Sequence, residues 1–163
     1  MKIVFKIFLV ILGAVFSNEG ISQAIDTPRA KNVILVNGAT AYFIGMYSFD
    51  YERNIFNKEK FDALIRVGYG GWYYIETGVF TSGIEGKSII TSVNGLIGEN
   101  SHKFEFNIGI RYVFLEDWEI QKVNQYHSII NIGYRYQNPE GKGLIFRAYV
   151  GETGIGIAVG KAF

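Results

Sequence analysis

Ile155-Gly156-Ile157-Ala158-Val159-Gly160-Lys161-Ala162-Phe163 alternates without a break. Ile155, Ile157, Val159, Lys161 and Phe163 share one face of an extended chain, and Gly156, Ala158, Gly160 and Ala162 share the other. Period two is the repeat of a β-strand. The first face is mostly apolar and the second is nearly bare. A row of glycines on a wet surface costs backbone entropy and gains no packing. Inside a narrow barrel the same row leaves room for long side chains from the opposite wall. The last strand therefore predicts a barrel with small and polar groups inside and apolar groups outside.

Seven more segments alternate. Asn32 to Val36 begins the series and runs on toward Tyr42, with Gly38 where a kink is cheap. Tyr47, Phe49, Tyr51 and Ile55 oppose Ser48, Asp50, Glu52 and Asn54, with Arg53 as the misfit. Phe61, Ala63, Ile65, Val67 and Tyr69 oppose Asp62, Arg66, Gly68 and Gly70. Ser88 to Ile97 is weaker, with Ile89, Thr91, Val93 and Ile97 on one side. The clearest strand places Phe104, Phe106, Ile108, Ile110, Tyr112 and Phe114 against Lys103, Glu105, Asn107, Gly109 and Arg111. Ser128, Ile130, Ile132, Tyr134 and Tyr136 oppose His127, Asn131, Gly133, Arg135 and Gln137. Leu144, Phe146, Ala148 and Val150 oppose Arg147 and Tyr149. Turn-forming residues at 57–60, 99–101, 138–141 and 151–154 separate these segments.

The expectation is all-β: an eight-stranded, antiparallel, up-and-down transmembrane β-barrel occupying residues 25–163. Residues 1–24 are expected to be a cleaved secretory signal. Lys2 and Lys6 give it a basic start, Ile7 to Phe16 an apolar stretch, and Ser22-Gln23-Ala24 a small-residue cut site. That stretch of about ten residues falls short of the roughly 20 that a spanning helix needs. A net charge of +1 leaves no electrostatic footprint for nucleic acid. With no cysteine, disulfides, thiol catalysis and a lipid-anchored N-terminus are excluded.

Loop parity supports the inverted arrangement. With the chain start on the periplasmic side, turns 57–60, 99–101 and 138–142 are periplasmic and short, while loops 71–87 and 115–124 face outward and are long. Outer-membrane barrels share this asymmetry. Aromatic residues group at the strand ends: Tyr51, Phe56, Phe61, Phe104, Tyr134, Tyr136 and Phe163 at one, and Tyr42, Phe43, Tyr69, Trp72, Tyr112, Phe114 and Trp118 at the other. A soluble lipocalin-like periplasmic barrel would instead turn its apolar face inward.

Asp50, Glu52, Arg66, Glu105, Arg111, Arg135 and Arg147 are thus expected to form a polar network in the lumen, with Asp62 a further acid able to pair with the arginines. Eight strands enclose little space, so a plug of ion pairs is favoured over a narrow pore. Among loop residues, Trp72, Tyr73, Tyr74 and Trp118 are candidate contacts for a ligand or for lipid headgroups.

The segments Tyr47-Ser48-Phe49-Asp50-Tyr51-Glu52-Arg53, Ser101-His102-Lys103-Phe104-Glu105-Phe106-Asn107-Ile108-Gly109 and Ile132-Gly133-Tyr134-Arg135-Tyr136-Gln137 resemble recurring strand motifs of a family of small, uncharacterised outer-membrane barrels of the OmpA/OmpX-like eight-stranded type. Phe146-Arg147 fits the same pattern. The terminal Phe163 is similar to the sorting signal of such barrels. The resemblance implies a Gram-negative outer-membrane location, the lipid bilayer as surroundings, and the outer-membrane barrel assembly machinery as a partner through the C-terminal strand. Lys161 departs from the pattern, because an apolar or aromatic residue is usual there. The family brings no activity with it.

Some eight-stranded outer-membrane barrels are lipid-modifying enzymes that use a His-x-Ser pair with a carboxylate. Here His127 and Ser128 are adjacent, so a strand points them to opposite faces. His102 is expected in a periplasmic turn. A hydroxyl nucleophile needs a base within hydrogen-bond reach, and no such pair is legible. No metal-ligand spacing, phosphate loop or nucleotide motif occurs, so no catalytic residue, metal or cofactor is expected. The expected role is structural or one of surface interaction through loops 71–87 and 115–124. A lipid-modifying enzyme, a narrow pore and a soluble lipocalin-like periplasmic barrel are the alternatives.

Overall fold

A computed structural model describes residues 31–41, 44–58, 60–74, 86–114, 124–138 and 142–163. The expected signal at 1–24 lies outside the described residues, as do Tyr42, Phe43, Trp118 and most of the two long loops. The strands are β1 (Asn32–Ala41), β2 (Ile44–Asn57), β3 (Phe61–Tyr74), β4 (Gly86–Ile97), β5 (His102–Phe114), β6 (Asn124–Gln137), β7 (Gly143–Gly151) and β8 (Gly154–Ala162). Each pairs antiparallel with its sequence neighbours, and β8 closes on β1. Beyond the last strand residue, Phe163 and Asn32 exchange backbone hydrogen bonds of 2.9 and 3.2 Å. The all-β, eight-stranded, up-and-down barrel is therefore the fold.

The strands tilt steeply. Stepping across paired residues from Tyr134 leads through Ala148, Ile157, Gly38, Tyr47, Gly71, Lys87 and Phe114 to Asn124. The circuit returns to β6 ten residues from its start, a stagger that corresponds to a tilt of about 35–45°. The entry rim holds the start of β1 and connections 58–60, 98–101 and 138–142. The far rim holds the ends of β1, β3 and β5, the starts of β2, β4 and β6, and the connection 152–153. At the last of these, Gly154 adopts φ +84°, a conformation that favours glycine.

Several elements run further than their sequence patterns suggest. Trp72, Tyr73 and Tyr74 do not begin a loop, because β3 continues through them in register with Ile44 to Met46 of β2. The glycines beside them hide the alternation. Gly86, Lys87 and Asn124 likewise belong to strands. His102 is the first residue of β5, paired with Tyr136, rather than part of a turn. A bulge between Asn54 and Phe56 accounts for the blurred alternation at the end of β2. It inserts Ile55 into the strand, so Ile55 and Phe56 are both exposed. Arg53 keeps the register of its neighbours and points outward.

The outer face is mostly apolar through the middle of the barrel, with Thr91 and Ser128 as exceptions. Ile108 is 61% exposed and Ile157 55% exposed, while Glu52 and Arg135 inside are at 0%. At three places on this face a bare glycine lies under the ring of its cross-strand partner: Gly45 under Tyr73, Gly71 under Tyr47 and Gly95 under Phe106. Such pairs restore packing that a glycine forfeits in a sheet. Toward the entry rim, Val33, Leu35, Ile145, Ala158 and Ala162 form a small apolar cluster inside. Most of the charged residues occupy the interior beyond it.

Candidate functional site within the barrel

Strand parity turns even-numbered residues of β2 and β3, and odd-numbered residues of β5, β6 and β7, toward the axis. That places Asp50, Glu52, Arg66, Glu105, Arg111, Arg135 and Arg147 on the inner wall. All but Arg111 are buried.

Glu52 is the hub. Its Oε1 accepts from Arg66 Nε at 2.8 Å and from Asn94 Nδ2 at 2.8 Å, and its Oε2 accepts from Arg135 Nη1 at 2.6 Å. Glu105 is the second acid. Its Oε1 accepts from Arg66 Nη2 at 3.2 Å and lies 2.9 Å from Arg147 Nε. That second contact is an ion pair without hydrogen-bond alignment, since Arg147 Nε has no hydrogen-bond partner. Arg147 also stacks over the Tyr149 ring at 4.5 Å. Asp50 accepts from Asn37 Nδ2 at 2.6 Å and lies 3.6 Å from Arg66 Nε. Arg66 therefore touches three acids; the charged members tie five strands together, and Asn37 and Asn94 bring the number to seven.

Three features were not part of the expected network. Lys103 and Asp62 form a separate buried pair nearer the entry rim, so Asp62 serves a lysine rather than an arginine. Asn94 and Asn107 bond to each other, and Asn94 donates to Glu52. Their positions are readable by parity, since Lys103 and Asn107 flank Glu105 on its own face. Which acid each cation chooses depends on the stagger, and single-strand patterns do not carry that.

Arg111 behaves differently from the other six. Its Nη1 contacts Sδ of Met46, and it takes part in no salt bridge among the described residues. Of the candidate loop contacts, Trp72 is half-buried on the inner face of β3 and Tyr73 lies outside over Gly45.

Among the described residues the histidines form no relay. His127 and Ser128 are consecutive in β6, and the Ser128 hydroxyl donates to Glu152 Oε2 at 2.8 Å. His102 Nδ1 lies 2.5 Å from the Tyr134 hydroxyl on the outer face. Among the described residues no cluster of His, Asp and Glu is arranged to hold a metal ion. What the interior does hold is a set of opposed charges at fixed distances. The ion pairs brace strands distant in sequence, because breaking any one leaves a charge buried and uncompensated.

No protein-family model matches the chain, and neither the curated proteins nor the solved structures yield a match.

Proposed function

We propose that this chain is a small outer-membrane β-barrel whose interior is a rigid ionic plug and whose far rim makes its functional contacts. One observation carries this reading: the barrel is inside out relative to a soluble one. Apolar side chains cover its outer wall, and charged side chains are buried within. In water that arrangement would expose a continuous apolar belt and hide the charges at a cost; in a bilayer the belt meets acyl chains. The charged residues that face outward from the described strands, Arg53, Lys87 and Lys161, lie toward the rims. There their long side chains can reach headgroups. Tyr51, Tyr134 and Tyr136 toward the entry rim, and Tyr47, Tyr73 and Tyr126 toward the far rim, suit the two interfacial girdles of such barrels.

Export through the N-terminal signal and recognition of the C-terminal strand by the barrel assembly machinery complete the proposal. Phe163 suits that role, since its side chain is exposed beyond the end of β8. Contacts through the connections at 75–85 and 115–123 remain the proposed surface activity. Fractionation of cells expressing the full chain tests the location. The protein should sediment with outer membranes and migrate differently on gels before and after boiling. Recovery in the soluble periplasmic fraction would overturn the proposal.

A further inference from the structure

Among the described residues, Arg111 is a cation without a counter-ion. It lies on the inner face of β5 near the far rim, and its side chain crosses the interior to Met46 on β2. Thioether sulfur is a weak acceptor and carries no charge. Arg111 Nε is sealed from solvent and makes no hydrogen bond. The groups that act on it electrostatically are Tyr149 and, more weakly, Asp50. Asp50 uses Oδ2 for Arg66 and Asn37, its Oδ1 is buried without a hydrogen-bond partner, and it forms no salt bridge with Arg111. Inside the described strands Arg66, Lys103, Arg111, Arg135 and Arg147 face four acids, Asp50, Glu52, Asp62 and Glu105. The surplus positive charge is the one nearest the far rim.

The wall beside it is notched. β7 ends at Gly151, which pairs with Asn131. From Gln125 to Ile130, β6 therefore has β5 on one side and no strand of the described residues on the other. His127 lies in this segment, directly opposite Arg111 in the β5–β6 ladder, on the same inner face and exposed. Glu152 closes the foot of the notch, donating its backbone N–H to Ile130 O at 3.1 Å.

We propose that Arg111, with His127 beside it, receives a phosphate group entering from the far rim. A guanidinium offers parallel N–H donors that match phosphate oxygens, and imidazole adds one more donor. A shielded cation lacking a partner is unfavourable, so an anion that binds it stabilises the folded state by linkage. The phosphate comes from a lipid headgroup or from a soluble phosphate. The lipid source rests on the membrane reading above, and the soluble source does not.

The test uses the full chain folded in an uncharged detergent, with the urea midpoint as readout. One arm adds inorganic phosphate against sodium chloride of equal ionic strength. The other adds phosphatidic acid against diacylglycerol with the same acyl chains. The wild-type midpoint should rise with at least one phosphate probe; at 100 times the dissociation constant the unfolding constant falls about 100-fold. Arg111→Gln should lose the response, and His127→Gln should weaken it. Arg111→Lys keeps the charge but not the fork, and should respond less than wild type. A response to phosphatidic acid alone assigns the lipid source, and a response to inorganic phosphate assigns the soluble one. The proposal is overturned if wild type responds to neither probe, or if Arg111→Gln and Arg111→Lys both respond as wild type does. A chain recovered as a soluble protein fails the membrane reading, yet its phosphate titration still decides the site.

Discussion

Arg135 and Glu52 stand 83 residues apart in sequence and meet inside the barrel, Nη1 to Oε2, at 2.6 Å. Neither side chain is exposed at all. The contact spans the interior between β6 and β2, strands that are not neighbours in the sheet. Backbone pairing alone would let each strand slip against the next. A charge that can be neutralised only in one register penalises every slip by leaving an ion buried and unpaired.

Removing one partner should therefore be severe. Arg135→Ala should destabilise the barrel by about 3–5 kcal/mol, because Glu52 stays behind with less compensation. Replacing Glu52 and Arg135 together with leucine should cost less than the sum of the two single changes. Arg111→Ala breaks no ion pair and should cost far less than Arg135→Ala. Urea unfolding of the variants in one detergent measures all of these. Equal losses for Arg111→Ala and Arg135→Ala would contradict the division of the interior described above.

The proposed ionic plug would also limit transport. Ions crossing the barrel would have to pass the level where Glu52, Glu105, Arg66 and Arg135 meet. Planar-bilayer recordings of the folded chain should show no steady conductance. Sustained unitary currents would mean that this group opens.

Much of this was legible in the sequence because alternation is a local property. Phe104 to Phe114 shows its inner and outer faces unaided, and so does Ile155 to Phe163. The misplacements arise where the pattern is interrupted. Gly70-Gly71 masks the continuation of β3, so Trp72 to Tyr74 resemble a loop. The Asn54–Phe56 bulge shifts the phase of β2 at its end. The pairing partners were not legible, because they depend on a ten-residue stagger accumulated around eight strands. Parity puts Asp62 and Lys103 inside, but only the stagger brings them together.

Two glycines should respond oppositely to substitution. Gly160 faces inward in β8, where an added Cβ would run into the backbone oxygen of Ile34 and the side chain of Leu35. Gly160→Val should cost about 1–3 kcal/mol as overpacking against an unyielding backbone. Gly38 has nothing within 4 Å of the same position and lies on the exposed face of β1. Gly38→Val should be neutral or stabilising, since a β-branched residue suits a strand better. Unfolding midpoints decide it; a Gly38→Val loss as large as that of Gly160→Val would show that something covers this face.

At the entry rim, Lys60 lies 2.7 Å from Glu99 in the β4–β5 turn. The hydrogen bond and charge of Lys60 hold the Glu99 carboxyl below the usual carboxylate range. A depressed folded value means the contribution is present above the unfolded value and fades as pH falls through the folded one. Both groups are exposed, so the effect on stability should be slight. An NMR titration of the Glu99 carboxyl should give a midpoint below that of an unpaired glutamate, and Lys60→Met should restore it. No change on Lys60→Met would mean that the pair does not persist in solution.

Ile108 offers the sharpest test of what surrounds the barrel. It lies mid-strand on the outer face of β5, 61% exposed, flanked across the sheet by Val93 and Ile130. If acyl chains surround it, truncation leaves no cavity, because lipid moves in, and Ile108→Ala should be mild. Ile108→Arg then places a charge in hydrocarbon and should cost about 2–4 kcal/mol, less if moved toward a rim. If instead another protein surface packs over this face, Ile108→Ala should leave a void costing about 2–5 kcal/mol. In water with nothing covering it, Ile108→Arg should be harmless or improve solubility. Folding both variants into lipid vesicles and comparing their unfolding midpoints separates the three cases. A mild alanine with a costly arginine is the outcome expected of a membrane barrel. Near-equal losses for the two would place a protein partner on this face, and a harmless arginine would place it in water.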